Sequence, residues 1–175
     1  MPKIRIAIAD DHQIIIDGLV SLLGKYEQVE IVITADSGVK MLELLVYNEV
    51  DILLTDVMMP GMTGNELAKK VRQLYPAVKI IALSMSGQAQ TVSDMIEQAD
   101  IVAYLLKQTS GAELASAIQK VYDGGIYFQD DILEELSKLS GEKKKSTPVK
   151  ITNREKQLIE LIEKDFSSKQ IAAAL

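Results

Sequence analysis

Cysteine is absent from all 175 residues, which excludes a disulfide framework and any thiolate metal centre and suits a reducing cytosol. Histidine occurs once, at His12, so a zinc site built on nitrogen and sulfur would have no second ligand of its kind. No apolar run approaches the roughly eighteen residues of a membrane helix, and the opening Met1-Pro2-Lys3-Ile4 lacks the long apolar stretch of a signal peptide. Internal repeats are missing too, and Lys143 to Lys145 are the only low-complexity touch. The expectation is a soluble cytoplasmic protein with no membrane contact.

What the chain does have is an apolar fraction of 47%, ample for a packed core. Its charge is divided unevenly. Residues 1 to 137 hold 10 Lys/Arg against 20 Asp/Glu, while residues 138 to 175 hold 9 against 5. An acidic body thus carries a basic tail, a pattern shared by nucleic-acid-binding segments and by ordinary lysine-rich linkers.

Five short runs rich in Ile, Val and Leu read as strands: Ile4 to Ala9, Val29 to Thr34, Ile52 to Thr55, Ile80 to Ser84 and Val102 to Leu106. Between them lie helix-period segments, with apolar faces at Ile14, Leu19, Leu22 and Leu23; Met41, Leu44 and Leu45; Leu67, Val71 and Leu74; Val92, Met95 and Ile96; and Leu114, Ile118 and Val121. Gly24, Tyr75-Pro76 and Gly124-Gly125 stand where helices should stop. Strict alternation predicts an α/β domain over residues 1–125, a doubly wound five-stranded parallel sheet covered on both faces. Residues 126–150 read as a helix around Ile132, Leu133, Leu136 and Leu139 followed by a linker through Ser140 to Pro148. Over residues 151–175, Thr152 and Glu155 form a capping-box pattern before an apolar face at Leu158, Ile159, Leu161 and Ile162.

Parallel sheets bind ligands at the carboxyl ends of their strands. There the chain carries the pair Asp10 and Asp11, then Asp56, Ser84 and Lys107. Two carboxylates about 4 Å apart repel by about 4 kcal/mol at an effective dielectric near 20, so the cluster needs a cation, a lysine or a shared proton. Oxygen ligands favour magnesium over zinc. A carboxylate nucleophile, a divalent ion, a hydroxyl donor and an ammonium are the parts that phosphoryl transfer to an aspartate requires.

The ordered set of acidic pair, Asp-x-x-Met-Pro-Gly-Met-x-Gly from Asp56 to Gly64, strand-end Ser84 and strand-end Lys107 closely resembles the receiver domains of two-component response regulators. The resemblance runs over residues 3 to about 123 and implies a flavodoxin-like fold of strand order 2-1-3-4-5. It implies that Asp56 accepts phosphate from a sensor histidine kinase. Asp11 and Asp56 would ligate Mg2+, Asp10 would reach it through water, and the Met58 carbonyl would complete the set. Lys107 would pair with the phosphoryl oxygens. Ser84 would turn inward to the phosphate, and Tyr104 would follow it as the second half of a switch. Such a domain phosphorylates and dephosphorylates itself without being an enzyme toward other substrates.

The tail from Ile151 to Ala172 looks like the start of a LuxR-type helix-turn-helix, and with the Asp-Asp-His opening it points to the NarL/FixJ group of transcription regulators. In that group a later helix reads the major groove. The residues that would form it are not in this sequence, so the DNA-binding residues are unknown, and specific DNA binding is expected of longer members rather than of this chain. The apolar tail residues raise the expectation of self-association into a homodimer or of packing on the receiver. A phosphorylation-gated protein-binding or phosphorelay module is the alternative reading. A haloacid dehalogenase-type hydrolase and a flavin protein fit less well, since Met58 stands where the hydrolase needs a second aspartate and the loops offer acids where a flavin phosphate needs amides. Four positions depart from the family's habit: Ile16, Met85, Gln108 and Asp165. Met85 is expected to crowd the phosphate, and Gln108 replaces a proline that often follows the lysine in a cis bond.

Overall fold

The computed structural model describes residues 3–143 of the chain. Strands and helices alternate: β1 (Ile4–Ala9), α1 (Gln13–Leu23), β2 (Val29–Ala35), α2 (Gly38–Leu45), β3 (Ile52–Asp56), α3 (Gly64–Leu74), β4 (Lys79–Ser84), α4 (Ala89–Ala99), β5 (Ala103–Leu106), α5 (Gly111–Tyr122), β6 (Tyr127–Phe128) and α6 (Asp130–Lys143). All strand pairings are parallel, in the order β2-β1-β3-β4-β5-β6.

The central strands are buried on both faces because most of their positions are apolar, and the two-residue period of a strand divides them. Ala7, Ala9, Leu53, Ile80, Ala82 and Tyr104 face α2, α3, α4 and the first turn of α6. Ile4, Ile6, Ile8, Leu54, Ile81, Leu83 and Leu105 face α1 and α5. Local signals fix the helix starts. Thr63 and Glu66 cap α3 reciprocally, and the Ser110 hydroxyl accepts the Glu113 amide hydrogen at the start of α5. At the other end of α5, Gly124 takes a φ of 92°, a left-handed turn that other residues adopt only at a cost.

Three expectations are corrected. The sheet has six strands, not five: Tyr127–Phe128 adds a parallel edge to β5, and two residues are too few to show any periodicity. On α1, Ile14 is 80% exposed while Ile16 enters the core. On α3, Leu74 is exposed, since the helix turns its last residue away from the sheet. The peptide bond after Lys107 is trans, as are all those described. The linker and the helix-turn-helix segment, residues 144–175, lie outside the described residues.

Candidate functional site

Flush strand ends build the site. Ala9 pairs with Thr55, Asp56 with Leu83, and Ser84 with Leu106. The residues at or just past these pairs, Asp10, Asp56, Ser84 and Lys107, therefore emerge at one edge. Lys107 Nζ lies 2.7 Å from Asp10 Oδ2 and 2.8 Å from Asp56 Oδ2, with all three side chains nearly inaccessible to solvent. Ligand atoms of Asp10, Asp11, His12 and Asp56 all fall within 4.8 Å of one another.

Backbone amides hold this acidic cluster in place. The Asp10 carboxylate accepts the His12 amide hydrogen at 2.9 Å, and Asp56 accepts that of Met58 at 3.2 Å. Burial pushes the Asp56 carboxyl above its ordinary value, with Lys107 opposing. Burial alone would lower the Lys107 ammonium, but its bonds to Asp10 and Asp56 outweigh that and hold it above the usual lysine value. One ammonium against three carboxylates leaves a formal deficit of two positive charges.

That deficit bears on magnesium. Asp10 Oδ2 and Asp11 Oδ1 are buried and accept no well-angled hydrogen bond, although Lys107 Nζ and His12 Nδ1 approach them at 2.7 and 3.0 Å. Oxygens around one Mg2+ sit about 2.0–2.1 Å from it, hence about 3–4 Å from one another. Clustered, under-satisfied oxygen donors with an uncompensated charge of two fit that ion. His12 is the N-cap of α1, and its exposed ring turns Nδ1 toward Asp11.

Ser84 is buried, and its hydroxyl accepts the Ser86 amide hydrogen at 3.2 Å. Tyr104 is wholly inside, with its hydroxyl donating to the Ser86 carbonyl at 2.8 Å. Burial raises the Tyr104 phenol above its ordinary value. Met58 and Met85 are both exposed. Sequence reasoning missed Gln129, whose side chain bonds the Leu106 amide beside Lys107. No motif marks it, because its role depends on where β6 ends.

The response regulator receiver domain family matches residues 6–119 of this chain. The chain belongs to the response regulator family. Among curated proteins it is 30% identical over 174 residues to the transcriptional regulatory protein MctR of Rhizobium johnstonii, covering 99% of this chain and 79% of that protein. It is likewise 30% identical to the response regulator UvrY of Escherichia coli, covering 98% and 79%. RcsB of Salmonella typhimurium superposes with a TM-score of 0.74 at 25% identity, covering 99% of this chain and 83% of RcsB. A LuxR-family two-component response regulator from Aurantimonas does so with 0.74 at 26%, covering 79% and 98%. These relatives place the chain with the NarL/LuxR-type response regulators. Receiver domains of the family bind Mg2+ at an acidic pocket, and response regulators are generally not classical enzymes. RcsB has been seen as dimers bound to DNA.

Proposed function

We propose that residues 1–125 of this response regulator form a receiver that takes a phosphoryl group onto Asp56 from a sensor histidine kinase, and that the segments after it, 126–150 and 151–175, carry the signal to a transcriptional output. The observation that carries this reading is the single ammonium of Lys107 held between two buried carboxylates, Asp10 and Asp56. A carboxylate oxygen of Asp56 attacks phosphorus, the phosphorus–nitrogen bond of the donor breaks, and the electron pair leaves with the imidazole, which takes a proton. Lys107 moves its charge from Asp56 onto the arriving phosphoryl oxygens, where it offsets the growing negative charge. Asp11 and Asp56 would hold Mg2+ directly, Asp10 through water, and the Met58 carbonyl would add a neutral ligand. When bound, the ion supplies charge neutralisation for phosphoryl transfer.

Ser84 would release Ser86 and donate to the phosphate, and Tyr104 would exchange its bond to the Ser86 carbonyl for the space so vacated. Both support a two-state loop, since each now bonds the same residue of the β4–α4 connection. Hydrolysis of the acyl phosphate at the same site resets the protein. Among the described residues no helix is long and apolar enough to cross a membrane, in keeping with action in the cytoplasm. DNA, for the longer members of the family, and a second copy of the chain are the partners of the output. Treatment with acetyl phosphate and Mg2+ should add one phosphoryl group by mass, stable in acid and labile in base. No adduct on the intact chain, or an adduct retained in Asp56→Asn, would overturn the reading.

A further inference from the structure

A parallel edge strand two residues long leaves the end of its neighbour unpaired. β6 pairs with β5 only at Ala103↔Tyr127 and Tyr104↔Phe128, so the Leu106 amide on that side has no strand to bond. The side chain of Gln129 takes the place of the missing strand. Its Oε1 accepts the Leu106 amide hydrogen at 2.9 Å. On the opposite side the Lys107 amide donates to the Ser84 carbonyl at 2.8 Å. Two successive peptide groups at the root of Lys107 are thus gripped from the two neighbouring strands.

The same carboxamide closes the far side of the loop. Gln129 Nε2 donates to Thr109 Oγ1 at 3.1 Å and to Glu113 Oε1 at 2.9 Å, and Tyr127 adds its hydroxyl to that Glu113 oxygen at 2.9 Å. Thr109 in turn donates its amide hydrogen to the Leu106 carbonyl at 2.9 Å. Gln129 therefore spans both ends of the turn that contains Lys107 and Gln108. Reversing the carboxamide would set its NH2 group against the Leu106 amide, so the network admits one orientation. Three residues on, Ile132 is buried at the start of α6, in a space that a Cβ on Gly87 would invade to 2.5 Å.

We propose that Gln129, beyond the segment matched by the receiver family, is a positioning residue for Lys107 and joins the start of α6 to the phosphoryl-transfer site; the inference rests on the role proposed for Lys107. A lysine ammonium on a flexible stem gives a defined geometry only when the backbone that carries it is fixed. Gln129 provides that fixation from outside the site. It also makes the geometry of Lys107 depend on how α6 begins, so an output element packed on α6 can be felt at the site and the reverse.

The test compares the full chain with Gln129→Leu, which keeps the bulk and removes the three side-chain bonds, and Glu113→Gln, which keeps an oxygen for Tyr127 and Gln129. Amide exchange at Leu106 and Lys107 should quicken in Gln129→Leu while that of Ala103 and Tyr104 stays unchanged, and the Lys107 side-chain resonance should broaden or shift. Phosphoryl incorporation from acetyl phosphate should fall by about threefold to tenfold, the equivalent of one or two hydrogen bonds. Glu113→Gln should stay near wild type in both readings. Unchanged exchange and unchanged Lys107 resonance would overturn the proposal, as would exchange accelerated evenly along β5 and β6, which marks general loosening. These readings need no phosphoryl group, so a wild-type chain that takes none would sink the proposed function while leaving the Gln129 clamp to be judged by exchange alone.

Discussion

Gly64 stands where the chain leaving β3 turns back toward it. Its amide donates to the Val57 carbonyl at 2.9 Å, and a Cβ placed on it would lie 1.9 Å from the Asp56 carbonyl oxygen. That contact is with backbone, which cannot swing aside. Gly64→Ala should therefore cost about 1–3 kcal/mol or more, seen as a lower denaturation midpoint, and should displace Asp56 enough to slow phosphoryl incorporation. Asp56 itself supplies a second prediction. Its carboxyl titrates above the ordinary value because it is buried. A raised carboxyl means that ionisation costs stability once pH exceeds the unfolded value, and the cost persists at neutral pH. Without divalent ions at neutral pH, Asp56→Asn should be no less stable than wild type by thermal melting, although it cannot be phosphorylated. A loss of stability there would show that Lys107 gains more from Asp56 than burial takes away.

At the scale of elements, the end of the sheet opposite the site is tied by Asp51. The residue precedes β3, and its carboxylate accepts from the backbone amide of Arg5 at 2.8 Å and from the guanidinium at 3.1 and 2.8 Å. Glu49 pairs with the same guanidinium. The Arg5 side chain holds the Asp51 carboxyl below the ordinary carboxylate value, with burial opposing. A lowered carboxyl contributes stability that is present above the unfolded value and lost as pH falls through the folded one. The melting temperature should drop as pH is taken from about 6 to about 2. Asp51→Asn should be less stable at neutral pH and should show a shallower acid slope. Equal slopes in the two proteins would assign the acid limb to other carboxylates.

Elements also show where sequence reading succeeds. Strands β1 to β5 were legible because each is a short run rich in Ile, Val, Leu and Ala closed by polar or turn residues, and α4 and α5 because three of their buried residues recur at helical spacing. Ile14 and Leu74 were misread for different reasons. At about 100° per residue Ile14 lies on the opposite side of α1 from the buried Ile16 and Leu23, whereas Leu74 continues the stripe of Leu67 and Val71 but is the last residue of α3. β6 escaped because its two residues pair only after β5 offers an edge.

For the whole molecule, the charge cluster is a device that folding creates. Carboxylate 56 is far from the neighbouring pair 10 and 11 in an extended chain and converges with them within 4.8 Å in the fold, so its repulsion with that pair belongs to the native state alone. An ion that relieves it binds the native state and stabilises it by mass action. At a concentration about a hundredfold above its dissociation constant, Mg2+ should add about 2.7 kcal/mol, roughly 5–10 °C in melting temperature for a domain of this size. Asp11→Asn should lose most of that shift, and chelation should reverse it. A Mg2+-independent melting temperature would contradict the proposed ion site.

The order of the acidic pair, Asp56 with its Met-Pro-Gly-Met-x-Gly continuation, Ser84 and Lys107 was fixed by sequence alone, and so was the α/β alternation that sends every one of them to the same edge. Parallel strands all leave the sheet in one direction, which turns linear order into spatial meeting. Tertiary structure alone decided which carboxylate oxygens are left under-satisfied, that Tyr104 and Ser84 both bond Ser86, and that Gln129 completes the ladder beside Lys107. Those outcomes turn on tenths of an ångström in register and on where one strand stops, and no residue pattern encodes either until the strands have paired.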